Sequence, residues 1–477
     1  MDRRQFLGLS VGAVGAGCLG AAGAAGAAGE GREDCREKTS LTSPVSVIGA
    51  DRATIQEAPR RTPVAADVDV LVVGGGPTGV GAALAAAREG AKTLVLERHG
   101  MLGGMWTAGL LNPLFESRKG WLVEQLVDRL RQAKAWRNHG RFPVFDTEKM
   151  KYLLEQMFVE GNVDFWYHVQ ATDPVVVDRC VQGVIVEGKT GREAVLARTI
   201  IDCTGDGDIA ARAGVPFRFG REFDGLAQPM TLMFEVTGAE KIATGTRNIL
   251  EILKTAIAEH NLPIKLPYGK NPHGAPYSIP LPEHGVVAIQ ATHVYRYNAT
   301  DTRDVTHATV EARQQVHEIF LPAMRNVPGL ENLRLSQTAP SLGIRESRHF
   351  EGRYTLDTGD VTEGRRFDDA VTSCAFGCDI HEIYPDDTHA RRIPAKPFEI
   401  PYRCLLPKSI RGLLFAGRCI SGTHEAHASY RVTGTCMAMG QAAGLAAAMA
   451  ASRGVLPDEI DGAQLRAALG KRGAEFL

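Results

Sequence analysis

The chain carries almost no excess charge of either sign: 54 Lys and Arg face 55 Asp and Glu in 477 residues. That balance excludes a generally basic nucleic-acid binder and an acidic, solvating chain. Cysteine is sparse, nine residues in all, which does not make a disulfide scaffold at this length. Beyond the N-terminal segment no stretch is apolar enough over about 20 residues to cross a bilayer. Disorder is excluded too, because 44% of the residues are hydrophobic and can build a core. The length gives room for about three domain-sized units.

Glycine is what the chain has in excess, with 52 residues, against an average share of roughly 7%. The excess is local. Nine glycines fall in the first 31 residues, and segments 71–109, 201–214 and 412–444 hold 19 more.

The N-terminal group reads as an address. Asp2-Arg3-Arg4-Gln5-Phe6-Leu7-Gly8 leads an uncharged Gly/Ala stretch to Gly29. Paired arginines before a weakly hydrophobic run resemble a twin-arginine export signal, with Gly8 where lysine is common. A buried or membrane helix would suffer there, since each glycine costs about 1 kcal/mol against alanine. Small-residue patterns at Ala22-Gly23-Ala24 and Ala25-Gly26-Ala27 leave the cleavage point open. Cys18 after Gly15-Ala16-Gly17 is a poor match to a lipoprotein signal, so a membrane anchor stays an open alternative. The expectation is a signal over 1–30, a linker over 31–66, and a periplasmic or extracellular location.

The folded part opens with an apolar run, Asp69–Val73, of the kind that forms a buried parallel strand. Gly74-Gly75-Gly76-Pro77-Thr78-Gly79 follows, then an alanine-rich helix to Arg88, then a strand Thr93–Leu96 ending at Glu97. Gly74, Gly76 and Gly79 form a G-x-G-x-x-G fingerprint. The first permits a tight turn, the second lets backbone approach a pyrophosphate, and the third lets helix and strand pack closely. The helix N-terminus offers free N–H groups to phosphate, and Glu97 can accept from a ribose diol. Strand, loop, helix and acid in this order point to a dinucleotide.

Three further segments narrow the choice of dinucleotide: Gly103-Gly104-Met105-Trp106-Thr107, Asp202-Cys203-Thr204-Gly205-Asp206 after β-rich sequence from Val175 to Thr199, and Leu413-Leu414-Phe415-Ala416-Gly417-Arg418 before a small-residue helix, Thr433 to Ala450. This layout resembles the FAD-dependent oxidoreductases of the glutathione-reductase-like flavoprotein superfamily. It is most similar to members with a Gly-x-Arg-Glu-Ser-Arg stretch, here Gly343-Ile344-Arg345-Glu346-Ser347-Arg348. Ile400-Pro401-Tyr402-Arg403 and Gly440-Gln441-Ala442-Ala443-Gly444 match as well.

The resemblance implies an α/β fold: a Rossmann-like FAD-binding domain from residues 67–220 and 395–452, an inserted α+β substrate or cap domain over 221–394, and a tail over 453–477. It implies that Gly74, Gly76, Gly79, Glu97 and Arg98 hold the ADP half of FAD. Gly103, Gly104 and Thr107 would line the ribityl path, and Thr204, Gly205 and Asp206 would close the site. Gly417, Arg418 and the helix start at Val432 would approach the flavin. His99 does not match a covalent attachment motif, so the cofactor is expected to be held without a covalent bond.

Within the insertion, Thr231–Val236 and Val286–Thr292 read as strands and Thr309–Met324 as a helix. Arg345 and Arg348 could orient an anionic or carbonyl substrate, or form internal ion pairs with neighbouring acids. His381 in Cys378-Asp379-Ile380-His381 could be an acid or base, or a structural hydrogen-bonding residue. His424 and His427 follow the flavin-proximal strand and are the first choice for proton transfer over the ring. No metal is expected: His424-Glu425-Ala426-His427 lacks an obvious third ligand nearby. Cys374 and Cys378 leave a disulfide loop and a zinc site open. The G-x-S-x-G elbow of hydrolases is absent.

The expected function is an exported FAD-dependent oxidoreductase that dehydrogenates a small hydroxylated or carbohydrate-derived compound. Outside the cytoplasm no NAD(P)H pool is maintained, so a quinone, a haem protein or oxygen would accept the electrons. The expected partners are the small-molecule substrate, that acceptor and the twin-arginine export machinery, with no nucleic acid. The alternatives are a reductase fed by external carriers and a non-catalytic electron-transfer subunit.

Overall fold

The structure is a computed structural model that describes residues 47–48, 53–139, 142–239, 249–269, 276–283 and 285–477. The export signal, the cleavage patterns and Cys18 lie outside the described residues. Up to Arg61 the described chain contains one short antiparallel ladder, Val47–Ile48 with Ile55–Gln56. Thr62–Leu477 form a single compact unit. Among the described residues no helix is long and apolar enough to cross a membrane.

The central sheet grows from the first glycine-rich unit. Strand β1 (Val64–Val73) leads through the loop at Gly74–Gly76 into helix α1 (Pro77–Arg88), and the chain returns as β2 (Thr93–Leu96). Strand β3 (Asp164–Trp166) adds beyond β2, and all three run parallel. On the other side of β1 lies the long strand β6 (Gly191–Asp202), also parallel to it. Strands β4 (Gln170–Val177) and β5 (Cys180–Gly188) form an antiparallel extension onto the first half of β6. Its second half pairs in parallel with Leu413–Phe415. Thus β6 has three neighbours, two parallel and one antiparallel, and segments 71–109, 201–214 and 412–444 meet at the C-terminal ends of the parallel strands.

The strands read as the sequence suggests. Buried on both faces, β1 is apolar without alternation from Val70 to Val73, and β2 is buried throughout. One difference concerns the start of β1. Strand pairing begins at Val64, inside the stretch read as linker, and the Pro63 carbonyl already accepts from Ala194 N–H. Val64, Ala65 and Asp67 are exposed there, so this beginning is not part of the buried apolar run that marks the strand in sequence.

Close packing explains much of the remaining glycine. Helix α3 (Thr433–Arg453) crosses α1 with backbone nearly touching backbone. A Cβ at Gly440 would overlap the Thr78 carbonyl, one at Gly444 the Ala82 carbonyl, and one at Gly81 the Met437 carbonyl.

The inserted part has its own antiparallel sheet. Its strands are β7 (Phe234–Thr237), β8 (Tyr277–Pro280), β9 (Val286–Gln290) and β10 (Arg334–Thr338), in the order β8-β9-β7-β10. Phe234, Val236, Leu253, Ile289, Phe320 and Met324 make a core separate from that of the main sheet. The helix expected at Thr309–Met324 begins earlier, at Thr302, because Asp301 accepts from the N–H groups of Arg303 and Asp304 and caps it. It runs through a π-helical turn over Gln315–Phe320 into Leu321–Arg325.

Candidate functional site

The glycine loop lies at the C-terminal end of β1, and its geometry is forced. Gly74 has φ +101°, and a Cβ there would come within 2.6 Å of the Cys203 carbonyl oxygen at the end of β6. At Gly79, inside the first turn of α1, a Cβ would overlap the Gly74 carbonyl. Gly79 therefore sits under the loop and not on the cavity wall. Glu97, buried at the end of β2, accepts from Gly75 N–H (2.7 Å) and from His99 N–H (2.8 Å), with His99 Nδ1 at 2.9 Å. Burial pushes its pKa up, but the bonds from His99 and Gly75 outweigh this and hold the carboxylate below its ordinary value.

A cleft of about 1720 Å³, its opening to solvent included, extends from this loop towards the inserted part. Gly74, Gly76, Glu97, Arg98, Gly104, Thr204, Gly205, Asp206, Arg418 and Val432 line it. Gly103, Thr107 and Gly417 do not. Thr107 is buried with its hydroxyl on the Leu102 carbonyl at 2.5 Å. A Cβ at Gly417 would collide with the Thr78 hydroxyl.

The loop after β6 is organised by Asp202, a residue whose buried carboxylate accepts from Thr204 Oγ1 (2.7 Å), Ile209 N–H (2.9 Å) and Ala210 N–H (2.8 Å). Asp206 then accepts from Ser347 Oγ (2.6 Å) and Arg418 (2.8 Å), tying the second and third glycine-rich segments to the Gly-x-Arg-Glu-Ser-Arg stretch.

Two helix N-termini open into the cleft. Neither α1, with Gly76 at its N-cap, nor α3, with Val432 at its N-cap, has a side-chain cap. Thr433 at the start of α3 is buried, and its hydroxyl has no hydrogen-bond partner among the described residues. First turns without side-chain caps and two positive dipole ends suit an elongated ligand with a pyrophosphate and a ring that gains negative charge on reduction. The residues present thus fit FAD.

The candidate chemical groups separate into two sets. Arg345 and His381 line the cleft together with Thr231, Gln290, Phe376 and Arg431. Arg345 donates to the Pro229 carbonyl (2.7 Å) and Thr231 Oγ1 (2.6 Å). Burial, then the nearby Arg431, push its pKa down to about 9. Arg431 donates to the Asp379 carbonyl at 2.9 Å and is shifted down for the same first reason, burial. Two guanidiniums so placed favour an anion between them. His381 Nε2 faces Asp379 Oδ2 at 3.1 Å, and its Nδ1 lies 3.4 Å from His293 Nε2. Burial, then Arg345, push the His381 pKa down to about 4.

The other set lies away from the cleft. Arg348 donates to the Asp206 carbonyl (2.9 Å) and Asp208 Oδ1 (3.0 Å), so it is an internal ion-pairing residue and not a substrate ligand. His424 and His427, expected over the ring, do not line the cleft. Short helix α2 (His424–Tyr430) turns both inward, where His424 Nδ1 meets Glu346 Oε1 at 2.7 Å. Cys374 and Cys378 stand as free thiols, with no disulfide between them. Sequence reasoning missed His293 and Asp379 as partners of His381. The Asp-x-His spacing was a signal for the second, whereas nothing local links His293 to residue 381.

Together the parallel sheet, the glycine loop with its acid, and two open helix N-termini define a dinucleotide-binding flavoprotein. Residues 69–469 match the family model described as FAD dependent oxidoreductase, and the chain belongs to that family. FAD is accordingly its cofactor, and the fold is the Rossmann type with a parallel sheet. It is 31% identical over 153 residues to a thiamine thiazole synthase of Methanococcus vannielii, a match over 29% of this chain and 56% of that relative. It is 30% identical over 158 residues to digeranylgeranylglycerophospholipid reductase 2 of Methanopyrus kandleri, over 31% and 39% of the two chains. The chain therefore spans about half the length, or less, of these curated relatives. Among solved structures, a geranylgeranyl bacteriochlorophyll reductase-like protein from Thermoplasma acidophilum aligns over 86% of this chain and 84% of that one, at 15% identity and a TM-score of 0.42. The myxobacterial chondrochloren halogenase CndH aligns over 85% and 79%, at 14% identity and a TM-score of 0.44.

Proposed function

We propose that this flavoprotein is exported by the twin-arginine route and oxidises a small hydroxylated or carbohydrate-derived compound that carries an anionic or carbonyl group. The single observation that carries the substrate reading is the pair Arg345 and Arg431 on the wall of the cofactor cleft, beside His381. Their fixed donor forks suit a carboxylate or a developing carbonyl oxygen. FAD, when bound, supplies the hydride acceptor for the C–H bond that breaks.

The protein's own part is to orient and to move a proton. Asp379 Oδ2 faces Nε2 of His381 and His293 Nε2 faces its Nδ1, so both ring nitrogens are engaged, and the substrate O–H proton enters this Asp379–His381–His293 relay at the imidazole. An anion resting on Arg345 cancels the charge that helps to hold the His381 pKa low, so substrate binding itself raises the base towards working pH. Tyr295, which donates to the Pro267 carbonyl (2.9 Å) and contacts Glu382 Oε1 (3.3 Å), packs beside His293 at 6.0 Å between ring centres and supports the relay from behind.

Anaerobic bleaching of the flavin band near about 450 nm against a panel of hydroxy acids, sugar acids and neutral sugars tests this reading. The expected result is bleaching by acidic members, and slow bleaching in His381→Asn. Bleaching by neutral sugars alone, or equal rates in His381→Asn, would overturn it. A quinone, a haem protein or oxygen then reoxidises the flavin, which reoxidation assays after bleaching distinguish.

A further inference from the structure

We propose that Glu346, His349 and His427 form a site for one divalent first-row transition-metal ion, which staples the segment bearing Arg345 to the one bearing Arg431. The His424-Glu425-Ala426-His427 run offers no third ligand in sequence. Tertiary structure supplies partners from far upstream: Glu346 meets His424 across 78 residues. One donor atom each of Glu346, His349 and His427 lies within 4.8 Å of the other two. All three residues are buried, at 1%, 4% and 1% exposure.

The second observation is an unmet need. Neither nitrogen of His427 has a hydrogen-bond partner among the described residues, and Nδ1 of His349 has none either. A buried imidazole with both nitrogens stripped of water is disfavoured unless something binds them. Its ring neighbours, His349 at 4.7 Å and Tyr430 at 5.6 Å between centres, present ring faces or edges.

Glu346 is already arranged as a metal carboxylate would be. Its Oε2 accepts from Gln228 N–H (2.9 Å), while Oε1 lies 2.8 Å from His349 Nε2 and 2.7 Å from His424 Nδ1. On binding, His349 offers one ring nitrogen to the ion. His424 stays outside the ligand set, and its Nδ1–H continues to orient the carboxylate from behind. Two imidazoles and one carboxylate suit zinc, iron(II) and their neighbours in the first row. Ligand bonds of about 2.0–2.2 Å require the three side chains to shift from their present spacing, in which the donor atoms lie within 4.8 Å of one another. None of the three lines the cleft, so the ion acts on structure. Arg345 adjoins Glu346, and Arg431 follows the helix that carries His427. This inference is independent of the substrate reading.

The test uses the untagged, flavin-loaded full chain, dialysed against chelator and titrated with Zn2+ alone by calorimetry, followed by elemental analysis. The expected result is about one ion per chain and a raised Tm. His427→Ala should lower retained zinc at least tenfold, and the exposed His307→Ala should leave it unchanged. If His427→Ala does not fold, X-ray absorption of the wild-type zinc complex decides: nitrogen and oxygen neighbours at about 2.0–2.2 Å with two imidazoles support the site. Absence of stoichiometric zinc, unchanged retention in folded His427→Ala, or sulfur neighbours at about 2.3 Å would overturn it.

Discussion

Arg345 and Glu346 are adjacent in the chain and serve different compartments: Arg345 lines the cofactor cleft, while Glu346 is buried with His349 and His424 behind it. One extended stretch thus forms both the wall of the cleft and the anchor of that wall. The anchor is charged. Burial opposes ionisation of Glu346, but His424 and His349 outweigh it and hold its pKa well below the ordinary value.

Arg345→Met should therefore impair substrate handling without unfolding the protein, because its bonds to Pro229 and Thr231 are few and lie at the wall. Loss of a charge-assisted donor pair corresponds to about a 10- to 100-fold fall in kcat/KM for an acidic substrate. Arg345→Lys should recover part of it. Steady-state kinetics at fixed ionic strength will read the split between KM and kcat.

His381 makes stability depend on pH. Unfolded, its imidazole titrates near about 6.5; folded, it titrates at about 4. Between those values the unfolded chain takes up a proton that the folded one refuses. Stability therefore falls as pH drops from about 7 towards 4, by about 2 kcal/mol at pH 5 from this group. Urea unfolding at pH 7 and pH 5 should show a smaller difference in His381→Gln than in the wild type.

Gly440→Ala and Gly444→Ala should each destabilise the protein, since the added Cβ meets main-chain carbonyls of α1 that cannot move aside cheaply. Overpacking of this kind costs about 1–3 kcal/mol. FAD affinity should fall with it, because α1 carries the glycine loop. Thermal unfolding with and without added FAD will separate the two effects.

Truncation to begin at Thr62 should leave FAD binding intact, whereas a chain beginning at Asp69 should lose stability. The second removes the pairings of Val64, Ala66, Asp67 and Val68 with β6. Differential scanning calorimetry of the two chains, flavin loaded, will show whether this part of β1 is structural.

The cofactor half of the site was legible because its signals are local. Gly74, Gly76, Gly79 and Glu97 fall at spacings that backbone geometry dictates, and the structure places strand, loop, helix and strand where those spacings put them. The start of β1 was not legible, since exposed residues pair through backbone alone. Nor was the place of His424 and His427 in the fold. Their position after a flavin-proximal strand suggests the cleft, but the direction of a side chain on a short helix depends on what packs against it.

By itself the sequence determined a balanced, glycine-punctuated α/β chain with a dinucleotide loop, because turns, close approaches and apolar runs are written in consecutive residues. Only the tertiary structure decided which charged residues face the cofactor cleft. Arg345 and Arg348 are three positions apart and chemically alike, yet one lines the cleft and the other pairs with Asp208. His381 gained His293 from 88 residues away, and Glu346 gained His424 from 78. Such partners are chosen by how two sheets and their helices pack, and no local spacing records that choice.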